Sequence, residues 1–288
     1  MIEQIASALG MAEIDYEAEY NNRRRVPESA EIMERWQMLS AAYRLANAPE
    51  SDRPYGDRER QRYDLFVAST GSAPLVVYIH GGYWQRGDRK DYSFVARELN
   101  ANGISVAIPS YSLCPAASVM EIIDEMELCL AALWKKLRRR PVVIGHSAGG
   151  HLAAAMLAND WSRVTGVPPD LVRAAYGLSG VYDLVPLIGT SINEALGLST
   201  GLARAASPMF RPPPPKGRCF VAAAGGDESA EFLRQSREIA QAWEQAGLLA
   251  QSVVMADTNH FTIVEELIRA HSPVLARIVE LAREVDGG

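Results

Sequence analysis

Cysteine is scarce in this chain: Cys114, Cys129 and Cys219 are far apart, and none has a histidine neighbour at zinc-ligand spacing. That excludes a disulfide scaffold and a zinc-finger framework, and suits small apolar side chains packed in a reducing compartment. Long apolar runs are missing too. The start, MIEQIASALGMAEIDYEAEY, lacks the basic residues and unbroken apolar stretch of a signal peptide, and no run reaches the ~20 residues that span a bilayer. The expected compartment is the cytoplasm. Nor is there an excess of positive charge: 29 Lys and Arg against 35 Asp and Glu leave a formal charge of -6, the wrong sign for nucleic acid or an acidic membrane. The expected partner is a small molecule, with self-association into a homodimer left open.

What is present is an ordinary globular composition, 48% hydrophobic and 22% charged over 288 residues, which suits one large domain. Residues 1–58 stand apart. They are acidic at first, then run through Arg23-Arg24-Arg25, which reads as a solvated face, into helical spacing at Ile32, Trp36, Leu39 and Tyr43. A helical N-terminal extension packed on the main domain is expected there. From residue 63 short apolar strands alternate with amphipathic helices, the signature of βαβ units and a mainly parallel sheet. Strands are expected at Tyr63–Val67, Leu75–Ile79, Ile104–Ile108, Val142–Ile144, Ala174–Leu178, Phe220–Ala224 and Gln251–Met255. Helices are expected at Tyr92–Asn100, Val119–Leu137, Ala148–Ala158, Ala230–Ala246, Ile263–Ala270 and near Pro273–Val285. Helices then cover both faces of an open sheet, and the chemistry gathers at the carboxyl ends of its strands. Residues 181–210, with Gly189, Gly197 and Gly201, fall outside the alternation and are read as a small cap, followed by the stiff Pro212–Pro215 connection.

Gly145-His146-Ser147-Ala148-Gly149 follows a strand and opens an alanine-rich helix, the context of a nucleophile elbow. Glycines on both sides of the serine permit the tight turn that lifts its hydroxyl above the sheet. His80-Gly81-Gly82-Tyr83-Trp84 follows an earlier strand, where backbone N–H groups can face a developing oxyanion. Serine needs a base, and the base needs an orienting carboxylate. Of five histidines, His80 and His146 sit inside these motifs and are read as loop supports, His151 lies on the following helix, and His271 reads as surface. His260 comes directly after the last strand and is the candidate base. The loop Gly225-Gly226-Asp227-Glu228-Ser229 offers two carboxylates and Asp183 a third; residue type does not choose among them.

At these residues the chain resembles the kynurenine formamidases, or arylformamidases, of the α/β-hydrolase superfamily. The likeness runs through Pro54-Tyr55-Gly56-Asp57, His80-Gly81-Gly82-Tyr83-Trp84-Gln85, Gly145 to Ala153, Ser179 to Leu184, Ser191 with Asn193, Glu231-Phe232 with Arg234-Gln235-Ser236, and His260 to Glu265. The resemblance implies an α/β-hydrolase fold with Ser147 as nucleophile, His260 as base, and an oxyanion hole at Gly81, Gly82 and the amide of Ala148. It places the acid on Glu228, where animal members carry Asp, with Asp227 the rival if the loop shifts by one. It further implies cleavage of N-formylkynurenine to kynurenine and formate in tryptophan catabolism, with no metal and no cofactor. Tyr83 and Trp84 are candidates to line an aromatic substrate pocket. A carboxylesterase or amidase on the same machinery is the alternative. A non-catalytic binding module has no need of the trio.

Overall fold

The computed structural model describes residues 14–68 and 73–287. Eight strands form one sheet in the order β1-β2-β4-β3-β5-β6-β7-β8. They are β1 (Glu50–Pro54), β2 (Arg62–Phe66), β3 (Leu75–Ile79), β4 (Ser105–Pro109), β5 (Pro141–His146), β6 (Ala174–Leu178), β7 (Cys219–Gly225) and β8 (Leu249–Met255). Strand β2 runs antiparallel to both its neighbours, and all pairs from β4 to β8 are parallel. This is the α/β-hydrolase fold.

Side chains alternate across the pleat. Leu75, Val77 and Ile79 of β3 join the core on one face with the helices Val119–Leu137, Ala148–Leu157 and Ala230–Gln245. Val76 and Tyr78 point the other way, into a core shared with the helices Ser29–Asn47 and Pro273–Gly287. A strand buried on both faces reads as a continuous apolar run, which is why β3, β5 and β6 were visible in the sequence.

Strand β1 was not. Its residues, Glu-Ser-Asp-Arg-Pro, show no apolar alternation, and four of the five are exposed at the sheet edge. Its ladder to β2 is interrupted between Glu50 and Arg53, and Pro54 is tolerated because an edge strand need not donate on both sides. Two expected α-helices are partly or wholly 3-10 structure instead: Arg89–Val95 precedes a short α-helix at Ala96–Ala101, and Thr262–Ile268 replaces the one expected at residues 263–270. Apolar spacing over so few residues fits either helix type.

Ahead of the sheet, the short helices Tyr16–Tyr20 and Asn22–Arg25 lead into Ser29–Asn47, with residues 1–13 of the expected extension outside the described residues. Trp36 of this third helix reaches the catalytic side of the fold, its ring 6.4 Å from His146 and 6.3 Å from Phe261. Residues 181–210 hold only short helical pieces, at Val185–Gly189, Asn193–Leu196, Thr200–Ala206 and Pro208–Phe210. Among the described residues no helix is long and apolar enough to cross a membrane.

Candidate active site

Ser147 sits between β5 and the helix Ala148–Leu157 with φ 56° and ψ -118°, a backbone conformation that costs a non-glycine residue of the order of 1–3 kcal/mol. The flanking glycines make the turn possible through close backbone approach. A Cβ on Gly145 would lie 2.1 Å from the Gly149 carbonyl oxygen, and one on Gly149 would lie 1.9 Å from that of Ile79. The Ser147 amide is occupied, donating to the Leu178 carbonyl at 2.8 Å. The Ala148 amide, first in its helix, donates to no described residue. Gly81 and Gly82 lie opposite: a Cβ on Gly81 would approach the Ser147 Cβ to 3.0 Å, and Gly82 has φ +113°. Their amides also make no hydrogen bond among the described residues. Three free N–H groups therefore lie around the serine.

His260 follows β8. Its Nδ1 donates to Glu228 Oε2 at 2.7 Å, in surroundings that leave the Glu228 side chain no solvent exposure. The other carboxylate oxygen, Oε1, accepts from the Gly225 amide at 2.6 Å and the Ser179 hydroxyl at 2.5 Å. With both oxygens engaged, Glu228 is fixed in position and its charge is solvated by fixed donors. Asp227 is exposed, with no side-chain bond to His260. Asp183 instead accepts from the Val185 amide at 2.9 Å, capping a local turn. Of the three carboxylates considered, Glu228 alone meets the imidazole. The Ser147 hydroxyl and His260 line the same cavity, of about 670 Å³, without a direct hydrogen bond between them. Such bonds often tighten only with substrate bound.

The remaining histidines near the site act as braces. His146 Nε2 donates to the His260 carbonyl at 2.7 Å, which fixes its tautomer and holds the base's backbone. Burial first, and then the neighbouring His260, keep His146 well below the usual imidazole range, so it stays neutral. His80 donates to the Gly81 carbonyl at 2.8 Å and stacks on Tyr111, and His151 donates to the Ala206 carbonyl at 2.8 Å. Burial lowers both to about 4.

Tyr83 lines the cavity, its hydroxyl donating to the Tyr20 carbonyl at 2.6 Å and accepting from Asn22 Nδ2 at 3.2 Å. Trp84 is a correction to the sequence reading: it is fully buried, packs edge-on against His151 at 4.9 Å, and does not border the cavity. Adjacent residues on a loop point in different directions, and here one faces the cavity and the other the core. Three contributors were missed. Ser179, which bonds Glu228, sits at the carboxyl end of β6, a position that could have drawn attention to it. Gln235 bonds the Tyr182 and Asp183 amides and reaches Tyr20. Tyr20 donates to Glu231 at 2.8 Å, joining the N-terminal helices to the helix after Glu228. Nothing in local spacing links positions so far apart. Among the described residues no group of three or more His, Cys, Asp or Glu is placed to hold a metal ion.

Comparison with known proteins places the chain among hydrolases of this fold. The BD-FAE family model matches residues 64–166. Kynurenine formamidase of Salmo salar is 33% identical over 224 residues, covering 75% of this chain and 76% of its own length. That of Drosophila melanogaster is 32% identical, covering 74% of each. A crystal structure from Silicibacter sp., described as a candidate thioesterase, superposes with a TM-score of 0.84 at 29% identity, covering 92% of this chain and 99% of that one. An esterase of the bacterial hormone-sensitive lipase family, at 20% identity and a TM-score of 0.67 over 91% of this chain and 99% of its own, shares the fold. The chain is a hydrolase and belongs to the kynurenine formamidase family of α/β-hydrolases.

Proposed function

We propose that the protein hydrolyses an aryl formamide of the N-formylkynurenine type through a formyl-serine intermediate. The observation that carries this reading is the His260–Glu228 pair at 2.7 Å, beside a strained Ser147 and unpaired amides on one cavity, in a chain whose relatives are named kynurenine formamidases. His260 takes the Ser147 proton as Oγ attacks the formyl carbon, and Glu228 stabilises the imidazolium. The oxyanion is received by the amides of Gly81, Gly82 and Ala148, each such donor being worth roughly 3 kcal/mol in the transition state. Collapse breaks the C–N bond, and His260 returns the proton to the departing amine. Water, deprotonated by the same histidine, then releases formate. A formyl group has no substituent, so the volume of the cavity serves the amine side.

Plant isoprenylcysteine methylesterases, 28% identical over 46% of the chain, support a second reading, a short-chain carboxylesterase using the same residues. Steady-state rates on N-formylkynurenine and on acetyl, butyryl and longer aryl esters separate the two. The formamidase reading expects the highest kcat/KM on N-formylkynurenine and a steady fall with acyl length. A preference for butyryl or longer chains would replace it with the esterase reading.

A further inference from the structure

Two arginines border the active-site cavity without a carboxylate partner among the described residues. Arg23 comes from the N-terminal helix Asn22–Arg25, and Arg86 from the turn just after the glycines that face Ser147. Most other arginines in the described residues are paired, including Arg25 with Glu19 and Arg89 with Asp64. The one side-chain contact recorded for Arg23 is a weak approach to Met33 Sδ at 3.8 Å. Arg86 makes no side-chain hydrogen bond among the described residues, yet it is held firmly to the oxyanion loop. Its amide donates to the Gly82 carbonyl at 3.2 Å, and its Cγ would lie 2.8 Å from a Cβ on Gly82. Both side chains are exposed at the cavity mouth, and partial desolvation first, and then the charge of Arg23, press the Arg86 guanidinium below its ordinary value.

The acidic residues bordering the same cavity do not neutralise this pair. Glu17 accepts from the Ser191 amide and hydroxyl, Asp91 accepts from Gln37, and Glu34 forms no ion pair with either arginine. Two like charges sharing a partly enclosed space are relieved by an anion, and a planar guanidinium is suited to a carboxylate. We propose that Arg23 and Arg86 form an anion-reading subsite that selects substrates carrying a carboxylate on the leaving-group side of the scissile bond. This rests on the reading that Ser147 performs acyl transfer, because the small acyl group leaves no other place for the charge. It also gives the N-terminal helices a part in specificity, where the arginine run read as a solvated face.

The test is a ratio measured on the full chain. kcat/KM is determined for N-formylkynurenine and for neutral formanilide, and for 4-acetoxybenzoate and neutral phenyl acetate, in the wild type and in Arg23→Gln, Arg86→Gln and the double variant. The wild type is expected to favour the carboxylate member of each pair. Each single substitution should lower the charged-to-neutral ratio by about tenfold and the pair by about a hundredfold, mainly through KM, as expected for lost charge-assisted hydrogen bonds. Added salt should narrow the wild-type ratio. A ratio that is the same in the wild type and the double variant overturns the proposal, as does a parallel loss on charged and neutral members, which would mean the arginines only support the fold. If neither formamide is cleaved, the formamidase reading fails, while the ester pair still reads the arginines.

Discussion

Ser147, His260 and Glu228 differ in how far each could be read before any coordinates. The serine was announced by its neighbours, because Gly145 and Gly149 are needed wherever a strand turns this tightly into a helix. The histidine was announced by its place directly after the last strand. The acid was not, since Asp227 and Glu228 are adjacent and of one type; the choice depends on which carboxylate the loop turns inward, and the Ser179 hydroxyl and Gly225 amide that hold Glu228 there become neighbours only on folding. Two substitutions test the roles. Ser147→Ala should leave a folded protein whose hydrolysis falls by at least about a thousandfold, the remainder coming from oxyanion and binding contributions. Glu228→Gln removes the acceptor that fixes the His260 tautomer and should cost of the order of ten-thousandfold in kcat, whereas Asp227→Asn, on an exposed side chain, should cost less than about tenfold. Comparable kcat losses in both variants, with unchanged circular dichroism, would remove Glu228 from the role proposed for it.

Elements were legible where their residues carried an apolar pattern, β8 included although it is largely exposed. The central strands stood out as apolar runs, whereas β1 depends on its partner β2 and carries no pattern of its own. The docking of the N-terminal helices was expected, but the contacts that make it were hidden, because Tyr20, Glu231 and Gln235 meet across more than two hundred residues. Burial opposes the ionisation of Glu231, but the Arg234 hydrogen bonds, the Tyr20 hydroxyl and the Arg234 charge outweigh it and hold the carboxyl below its ordinary value. A carboxylate depressed by folding contributes stability above its unfolded pKa, ~4.3, and that contribution is lost as pH falls through the lower folded value. Denaturant unfolding from pH ~5 down to ~3 should therefore lose stability more steeply in the wild type than in Glu231→Gln. At neutral pH, Tyr20→Phe should destabilise by about 1–2 kcal/mol, since Gln235 keeps its bonds to the Asp183 carbonyl and to two amides. On the same face of the sheet, Gly149→Ala would drive a methyl into the Ile79 carbonyl, backbone that cannot swing aside. A loss of roughly 3 kcal/mol or outright misfolding is expected, read by thermal melting.

For the molecule as a whole, two stretches of chain distant in sequence share one cavity. The hydrolase core supplies Ser147, His260 and Gly82; the N-terminal helices supply Tyr20, Asn22 and Arg23. The proposed catalysis by a hydroxyl, an imidazole and backbone amides needs no ion, so exhaustive chelation should leave the rate on an aryl formamide or ester within roughly twofold, and a larger loss restored by added metal would contradict the proposed mechanism. Trp36, packed against His146 and Phe261, and Tyr20, bonded to Glu231, link the two stretches. The division has an evolutionary reading. Under the proposed roles, reactivity sits on one stretch and part of the taste for substrate, Arg23, on the other, while Arg86 stays with the machinery that cuts; Arg23 and its exposed neighbours Arg24 and Arg25 can drift or be randomised in the laboratory, and lineages can acquire new diets without rebuilding that machinery.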